Sequence, residues 1–266
     1  MPELPEVEIL RRDLARKTIN KKIASFGVLN LKTLRGDKKL FQQKIKNSYF
    51  KYIRRHGKIL IFKLASGYYL LVNLYSKGDL VYRKYKENEK QDLPDKYTKI
   101  LFEFEDKSRM FFNNKGQFGY LQILSDNELK RMRVKFGIDP TDDKFSLNSF
   151  YKILRNKTTS IKNILMNKDL LVGIGAIYAD EICLEARVMP DKGIKLLKQS
   201  EIKRLYTAIC KILKKSIIHN GISGNYIKFI SVHNREGEKC LECNLGVVKK
   251  ILVSNRKTFY CPVCQN

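Results

Sequence analysis

Two groups of residues in this 266-residue chain have types and spacings that could do chemistry. The first is the opening stretch, Met1-Pro2-Glu3-Leu4-Pro5-Glu6. Removal of Met1, which the small second residue favours, leaves Pro2 with a secondary amine. Such an amine attacks an aldehydic sugar carbon and forms an iminium, the covalent strategy of Schiff-base lysines. An α-amino group has a reference pKa of about 7.7–8.0, so part of it is neutral and nucleophilic at physiological pH. Glu3 stands next to it, where a proton donor or acceptor is needed. The same residues also read as an ordinary helix start, with Pro in the first turn and acids near the positive end of the dipole. Composition alone favours that second reading. The other group is Cys240, Cys243, Cys261 and Cys264. Two CxxC knuckles wrap one Zn²⁺ tetrahedrally, and with four protein ligands and no open position the metal is structural. A disulfide is the weaker reading of these pairs.

These groups need elements to hold them. Val7, Leu10, Leu14 and Ala15 form a helical stripe over residues 7–19, which would fix the terminus. From about Lys22 to Leu124 the pattern changes to short β-rich runs. Residues 59–64 and 68–74 flank Ala65-Ser66-Gly67, and 100–104 and 110–112 flank Asp106-Lys107, so both pairs read as hairpins. Many short strands with turn punctuation predict a β-sandwich over residues 1–126. Helical signals follow. Asn127 can cap 128–136, Ser146 a helix to 156, and Ser200 a long amphipathic helix over 201–219 that Asn220-Gly221 stops. A further short helical run covers 161–166. Residues 137–144, with Asp-Pro and paired aspartates, read as a loop. Residues 84–99 read as an exposed, charged insertion. Asn244 to Tyr260 has the turn and strand character of a hairpin between the cysteine knuckles, and Cys183 and Cys210 lie on apolar helix faces as inert core residues. His56, His219 and His233 have no assigned role.

Charge points to the partner. Lys and Arg total 53 against 27 Asp and Glu, a net +26. Such an excess suits a polyanion, and nucleic acid before an anionic membrane. No stretch approaches the roughly 20 apolar residues of a membrane-spanning helix, and no signal peptide precedes the acidic start. The expectation is a monomer acting in the cytoplasm, without a membrane partner.

Met1 to Glu8, together with Cys240-Leu-Glu-Cys243 and the run from Arg256 to Gln265, resembles the formamidopyrimidine-DNA glycosylase/endonuclease VIII family. The resemblance implies an α+β fold. An N-terminal β-sandwich domain with its helix (1–126) is followed by a helical helix–two-turn–helix domain (127–235) and a four-cysteine zinc finger (236–266). It implies a bifunctional glycosylase and abasic-site lyase for damaged DNA, using an N-terminal proline Schiff base with β- and δ-elimination. Pro2 would be the nucleophile and Glu3 the general acid/base. Lys58, in Arg54-Arg55-His56-Gly57-Lys58, would contact a phosphate flanking the lesion, and Arg256 would reach phosphates from the finger and assist elimination. Arg54 and Arg55 are placed with the DNA-binding residues, as are Lys157 and Lys162. Leu170 to Glu181 resembles the helix–two-turn–helix motif. Gly173 and Gly175 would expose amides to a DNA phosphate, and Tyr178 belongs to the same motif.

Three positions depart from the family pattern. Ala176 replaces the motif asparagine. Ser76 stands where the family has a methionine wedge, although the neighbouring Tyr75 could stack. In Lys115-Gly116-Gln117-Phe118-Gly119 the wedge Phe118 is kept, but Gly116 or Gln117 stands for the arginine that holds the orphaned base. The stretch from Gly221 to Cys240, where the family has the loop closing over flipped 8-oxoguanine, is also shorter than in formamidopyrimidine glycosylases, which argues against a preference for 8-oxoguanine. Two alternatives therefore stay open: a lyase acting mainly on abasic or single-stranded DNA, and a non-catalytic DNA-binding protein on the same scaffold. An RNA-binding zinc ribbon would leave the N-terminus unexplained.

Overall fold

The computed structural model describes residues 2–85, 94–116, 118–222, 228 and 230–266. The chain divides into two compact units. One comprises residues 1–2 and 7–134; the other comprises Glu3–Glu6 and Lys135–Asn266. Helix α1 (Leu4–Thr18) thus gives its first turn to the second unit and its remainder to the first.

The first unit is a β-sandwich. Strands β1 (Ile23–Val28), β2 (Leu34–Arg35), β3 (Phe50–His56), β4 (Ile59–Leu64), β5 (Tyr69–Asn73), β6 (Gly78–Arg83), β7 (Thr98–Phe104), β8 (Arg109–Asn114) and β9 (Tyr120–Leu124) form two sheets. Their orders are β1-β7-β8-β6 and β2-β9-β5-β4-β3. The two expected hairpins are β4–β5 and β7–β8, both antiparallel. Phenylalanines from both sheets meet inside. Phe50 lies 4.8 Å from Phe62 in its own sheet and 6.1 Å from Phe102 in the other. Helix α2 (Lys38–Ile45), capped by Asp37, buries Phe41 and Ile45 within the region that reads as strand-rich. Asp37 and the four-residue spacing of those two side chains were the local signal for it.

Helix α3 (Asp126–Val134) belongs to this unit. It starts one residue before Asn127. Ser125 and Glu128 form its reciprocal cap, so Asn127 is inside the helix and not its cap.

The second unit is helical and ends in a small hairpin. Helices α4 (Leu147–Leu154) and α5 (Ile161–Leu165) are capped by Ser146 and Ser160. Helix α6 (Ala176–Glu185) packs on α7 (Gln199–Ile218). Ser200 falls within α7 and is not its cap. Glu201 accepts the Lys198 amide at 2.8 Å and closes that end. Asn220 and Gly221, both at positive φ, end the helix as expected. Strands β10 (Lys249–Val253) and β11 (Arg256–Tyr260) pair antiparallel. No helix among the described residues is long and apolar enough to cross a membrane.

Candidate functional site

Glu3 is almost wholly buried, at 2% exposure. Its Oε2 accepts the Gly175 amide at 2.5 Å and its Oε1 the Ile177 amide at 3.2 Å. The carboxylate therefore caps α6 where unpaired amides and the positive dipole end favour an anion. Both glycines serve this contact. A Cβ on Gly175 would stand 2.3 Å from Glu3 Oε1, and one on Gly173, at φ +101°, would meet Leu4 at 2.7 Å. The Gly173 carbonyl accepts the Leu4 amide at 2.9 Å. The Gly175 amide, expected to face a DNA phosphate, is thus taken by the Glu3 carboxylate.

Tyr178 is also corrected. It is fully buried, donates to Glu6 Oε1 at 2.6 Å, and shares a hydrogen bond with Ser216. Glu6 takes the Ile222 amide on the same oxygen at 3.1 Å, and its other oxygen accepts the Glu3 amide at 2.9 Å. The first turn of α1 is thus tied to α6 and to the end of α7 through acids, not through apolar packing alone.

Lys162 is likewise no surface cation. Its side chain is 1% exposed, and Nζ pairs with the buried Asp180 at 2.6 Å. Nζ also donates to Thr258 Oγ1 at 2.8 Å and to the Lys257 carbonyl at 3.1 Å. Asp180 Oδ2 accepts the Phe259 amide at 3.3 Å and lies 2.7 Å from His233 Nδ1. The next residue, Glu181, accepts the amides of Ser231, Val232 and His233 at 2.9–3.0 Å. Burial pushes its carboxyl above the ordinary value, against the pull of those three donors. Asp180 and Glu181 went unassigned in the sequence. Two adjacent acids in the middle of a largely apolar ten-residue helix were the available signal, since buried carboxylates require partners.

These contacts hold β11 against α5 and α6 and so fix the hairpin tip. Ser254 and Asn255 both have positive φ, as a tight turn between Val253 and Arg256 requires. Asn163 Nδ2 donates to Ser254 Oγ at 2.8 Å. Arg256 projects at this tip and is exposed. Lys157, half-buried, lines a surface cavity of about 490 Å³ with Lys152, Arg155 and Lys195.

The four cysteine Sγ atoms lie within 4.8 Å of one another. Cys240 and Cys264 are separated by 3.9 Å, and Cys243 and Cys261 by 3.8 Å. Tetrahedral Zn–S bonds of about 2.3 Å require sulfur spacings of about 3.8 Å, so the set fits Zn²⁺. Amides of Gly246 and Leu245 hold the Cys243 thiol down to about 6, whereas burial pushes the Cys240 and Cys264 thiols up. A Cβ on Gly246 would stand 2.5 Å from Cys261 Sγ, so glycine is needed for the knuckle to close.

In the first unit, Gly57, at φ +56°, and Lys58 form the two-residue turn of the β3–β4 hairpin. Lys58 is half-buried there, directly before β4. Arg54 is exposed, with its guanidinium 4.7 Å from the Tyr52 ring centre. Arg55 is corrected from DNA contact to framework. Its side chain is 5% exposed, it pairs with Glu8 at 3.2 Å, and it donates to the Gly57 carbonyl at 2.9 Å. Glu8 also binds Arg11 and Arg12 at 2.8 Å each. Burial opposes its ionisation, but the Arg11 and Arg12 hydrogen bonds prevail and hold its carboxyl at about 2. Phe118 is exposed, beside Tyr75. Pro2 is half-buried, and Gln117 lies outside the described residues.

Comparison with known proteins places this geometry. Residues 1–121 match the formamidopyrimidine-DNA glycosylase N-terminal domain, and residues 136–226 match the H2TH domain of the same enzymes. The formamidopyrimidine-DNA glycosylase of Pelotomaculum thermopropionicum is 34% identical over all of this chain and 99% of its own length. The chain belongs to the formamidopyrimidine-DNA glycosylase family. The Desulfitobacterium hafniense member is 30% identical, with both chains fully covered. The fold agrees. An LlFpg mutant in complex with THF-containing DNA superposes with a TM-score of 0.92 at 27% identity, covering both chains fully. Lactococcus lactis Fpg with FAPY-dG-containing DNA gives 0.91 at 28% identity, covering 99% of this chain and all of that one.

Proposed function

We propose that this chain is a DNA glycosylase and abasic-site lyase of base excision repair, with damaged or abasic DNA as its partner. Its whole-length relatives are named formamidopyrimidine-DNA glycosylases, and the similar structures hold DNA with abasic-site or oxidised-base lesions. The observation that carries the mechanism is the capture of Glu3 by Gly175 and Ile177. A terminal nucleophile works only if its chain end is held. Here the residue bonded to Pro2 is buried and pinned on a helix start.

The net charge of +26 supplies a salt-dependent, sequence-independent attraction for the phosphate backbone. The damaged nucleotide leaves the stack at a cost of roughly a few kcal/mol, least for a damaged base. The Pro2 nitrogen, freed by loss of Met1, attacks C1′. The base departs with the bonding pair, the nitrogen gives up its proton, and the C1′–O4′ bond breaks as the C1′=N iminium forms, with O4′ taking a proton to become a hydroxyl. Loss of the C2′ proton then expels the 3′ phosphate, and loss of the C4′ proton expels the 5′ phosphate. Glu3 supplies acid–base function at the sugar, Lys58 and the exposed Arg54 neutralise phosphates, and Arg256 reaches the strand from the hairpin tip.

Cys240, Cys243, Cys261 and Cys264 hold one Zn²⁺ in a structural finger over residues 236–266. Its chemistry is to cross-link that segment, and release of one zinc per chain by a chelator checks the count. The mechanism is tested by borohydride trapping on an abasic duplex. The wild type is expected to form a covalent adduct and Pro2→Gly none. Full trapping by Pro2→Gly would assign the nucleophile to another amine.

A further inference from the structure

A cavity of about 490 Å³ opens on the second unit between the end of α4, the short turn Ile194–Leu196 and the start of α7. Its floor is apolar. Leu154 and Ile194 are buried there, and Ile202 is half-buried. Its rim is cationic, formed by Lys152, Arg155, Lys157 and Lys195. Among the described residues no acid lines the cavity, and none of these four cations has an acidic partner. The fold builds this space. Asn156, at φ +62°, ends α4 and turns the chain back, and the Lys157 amide donates to the Leu154 carbonyl at 3.1 Å. The far wall is set by the Ile194 amide, which donates to the Thr159 carbonyl at 3.0 Å beside a bridge between Ser160 and Gly193. The Tyr151 hydroxyl donates to the Gln199 carbonyl at 3.5 Å and ties α4 to the start of α7. Leu196, on the same turn as Ile194, is 71% exposed, so apolar surface continues past the rim.

A net charge of +26 scatters lysines over the surface of this chain, so cations alone mean little here. The apolar floor is what distinguishes the place, because such walls gain free energy when a side chain covers them. The volume lies within the roughly 300–1,000 Å³ of ordinary binding pockets and has room for a bulky side chain. The rim then calls for negative charge close to that anchor. Nucleic acid suits the rim but not the floor. Its phosphates would leave the apolar walls uncovered, and its bases stack on open aromatic faces, whereas Tyr151 is half-buried with its hydroxyl tied back. An acidic peptide satisfies both parts. We propose that this cavity docks an acidic segment of a partner protein, which seats one bulky apolar side chain on Leu154, Ile194 and Ile202 and sets its carboxylates against the four cations. The inference goes beyond the function proposed above and does not depend on it.

The test uses the full-length protein and a fluorescein-labelled peptide with aspartates on both sides of a single phenylalanine, followed by fluorescence anisotropy. One control peptide carries serine for the phenylalanine, and another carries asparagine for the aspartates. Wild type is expected to bind the probe saturably and to bind each control about tenfold more weakly, since anchor and charge are both needed. Lys152 and Lys195 are exposed, so the double variant Lys152→Gln/Lys195→Gln should melt as wild type does. It should bind the probe about tenfold more weakly, yet lose no more than about twofold in affinity for an abasic duplex. Ile202→Gln should weaken the probe by about tenfold in protein that remains folded, with the same small effect on the duplex. Absence of saturable binding by wild type would overturn the proposal, as would equal binding of either control peptide. A loss of duplex affinity as large as the loss of peptide affinity would make the cavity part of the DNA surface and overturn it too. Borohydride trapping is read separately. Its absence in wild type removes the function proposed above and leaves the peptide result standing.

Discussion

The Glu3 carboxylate and the Gly175 amide are 2.5 Å apart, and that contact joins residues 172 positions apart in the chain. One glycine of a motif that reads as a phosphate cradle is thereby committed to an internal anion. Gly175 has φ −123°, which any residue adopts, so only the space beside it demands glycine.

Gly175→Ala should therefore act through Glu3. Its methyl group would occupy the place of the carboxylate, 2.3 Å from Oε1. The expected result is at least a tenfold slower trapping reaction on abasic DNA with a thermal midpoint only a few degrees lower. The loss should match that of Glu3→Gln in direction. Normal trapping in Gly175→Ala would mean that the seating of Glu3 is not needed.

Asp180→Asn should be among the most destabilising changes in the second unit. It leaves Lys162, 1% exposed, with an unpaired buried charge, and breaking one side of such a pair costs about 3–5 kcal/mol. Urea unfolding measures it. A loss below about 1 kcal/mol would show that Thr258 and the Lys257 carbonyl satisfy the ammonium alone. Because the same residues seat β11, DNA affinity should also fall in the folded variant.

The sequence was most legible where a local pattern has one physical meaning. Two CxxC knuckles, the β4–β5 hairpin about Ala65-Ser66-Gly67, and Ser146 as a cap all have their observed counterparts. Charge was least legible. Arg55 and Lys162 look like any of the 53 basic residues, yet each is buried against an acid distant in sequence, Glu8 and Asp180. No local spacing encodes a partner 47 residues away. The glycine motif reads as an anion site, and one anion at that helix start is Glu3, 172 positions away, which no local spacing reveals.

Glu8 makes acid stability partly predictable. Its carboxyl is held at about 2 in the folded protein, below the ordinary value of 4.5. A carboxylate with a depressed folded pKa contributes stability that is complete above the unfolded value and lost as pH falls through the folded one. Stability should therefore decline between about pH 4.5 and pH 2. Glu8→Gln should be less stable at neutral pH, with a flatter decline in that window. Denaturation midpoints at several pH values compare the two, and parallel curves would remove Glu8 from the account.

Arg54 and Arg55 are neighbours with opposite expected phenotypes. Arg54 is exposed and stacked on Tyr52, so its guanidinium is available to a phosphate. Arg54→Ala should leave the melting midpoint within about two degrees. It should weaken DNA binding across sequences and lower the magnitude of the slope of log affinity against log salt by about 0.9, the signature of one lost phosphate contact. Arg55 is spent on Glu8 and the Gly57 carbonyl. Arg55→Ala leaves Glu8 buried with one partner fewer and opens the hairpin that presents Lys58. The expected result is a lower melting midpoint, with the salt slope unchanged in the protein that remains folded. A shifted salt slope in Arg55→Ala, together with an unshifted one in Arg54→Ala, would exchange the two roles and return Arg55 to the DNA surface.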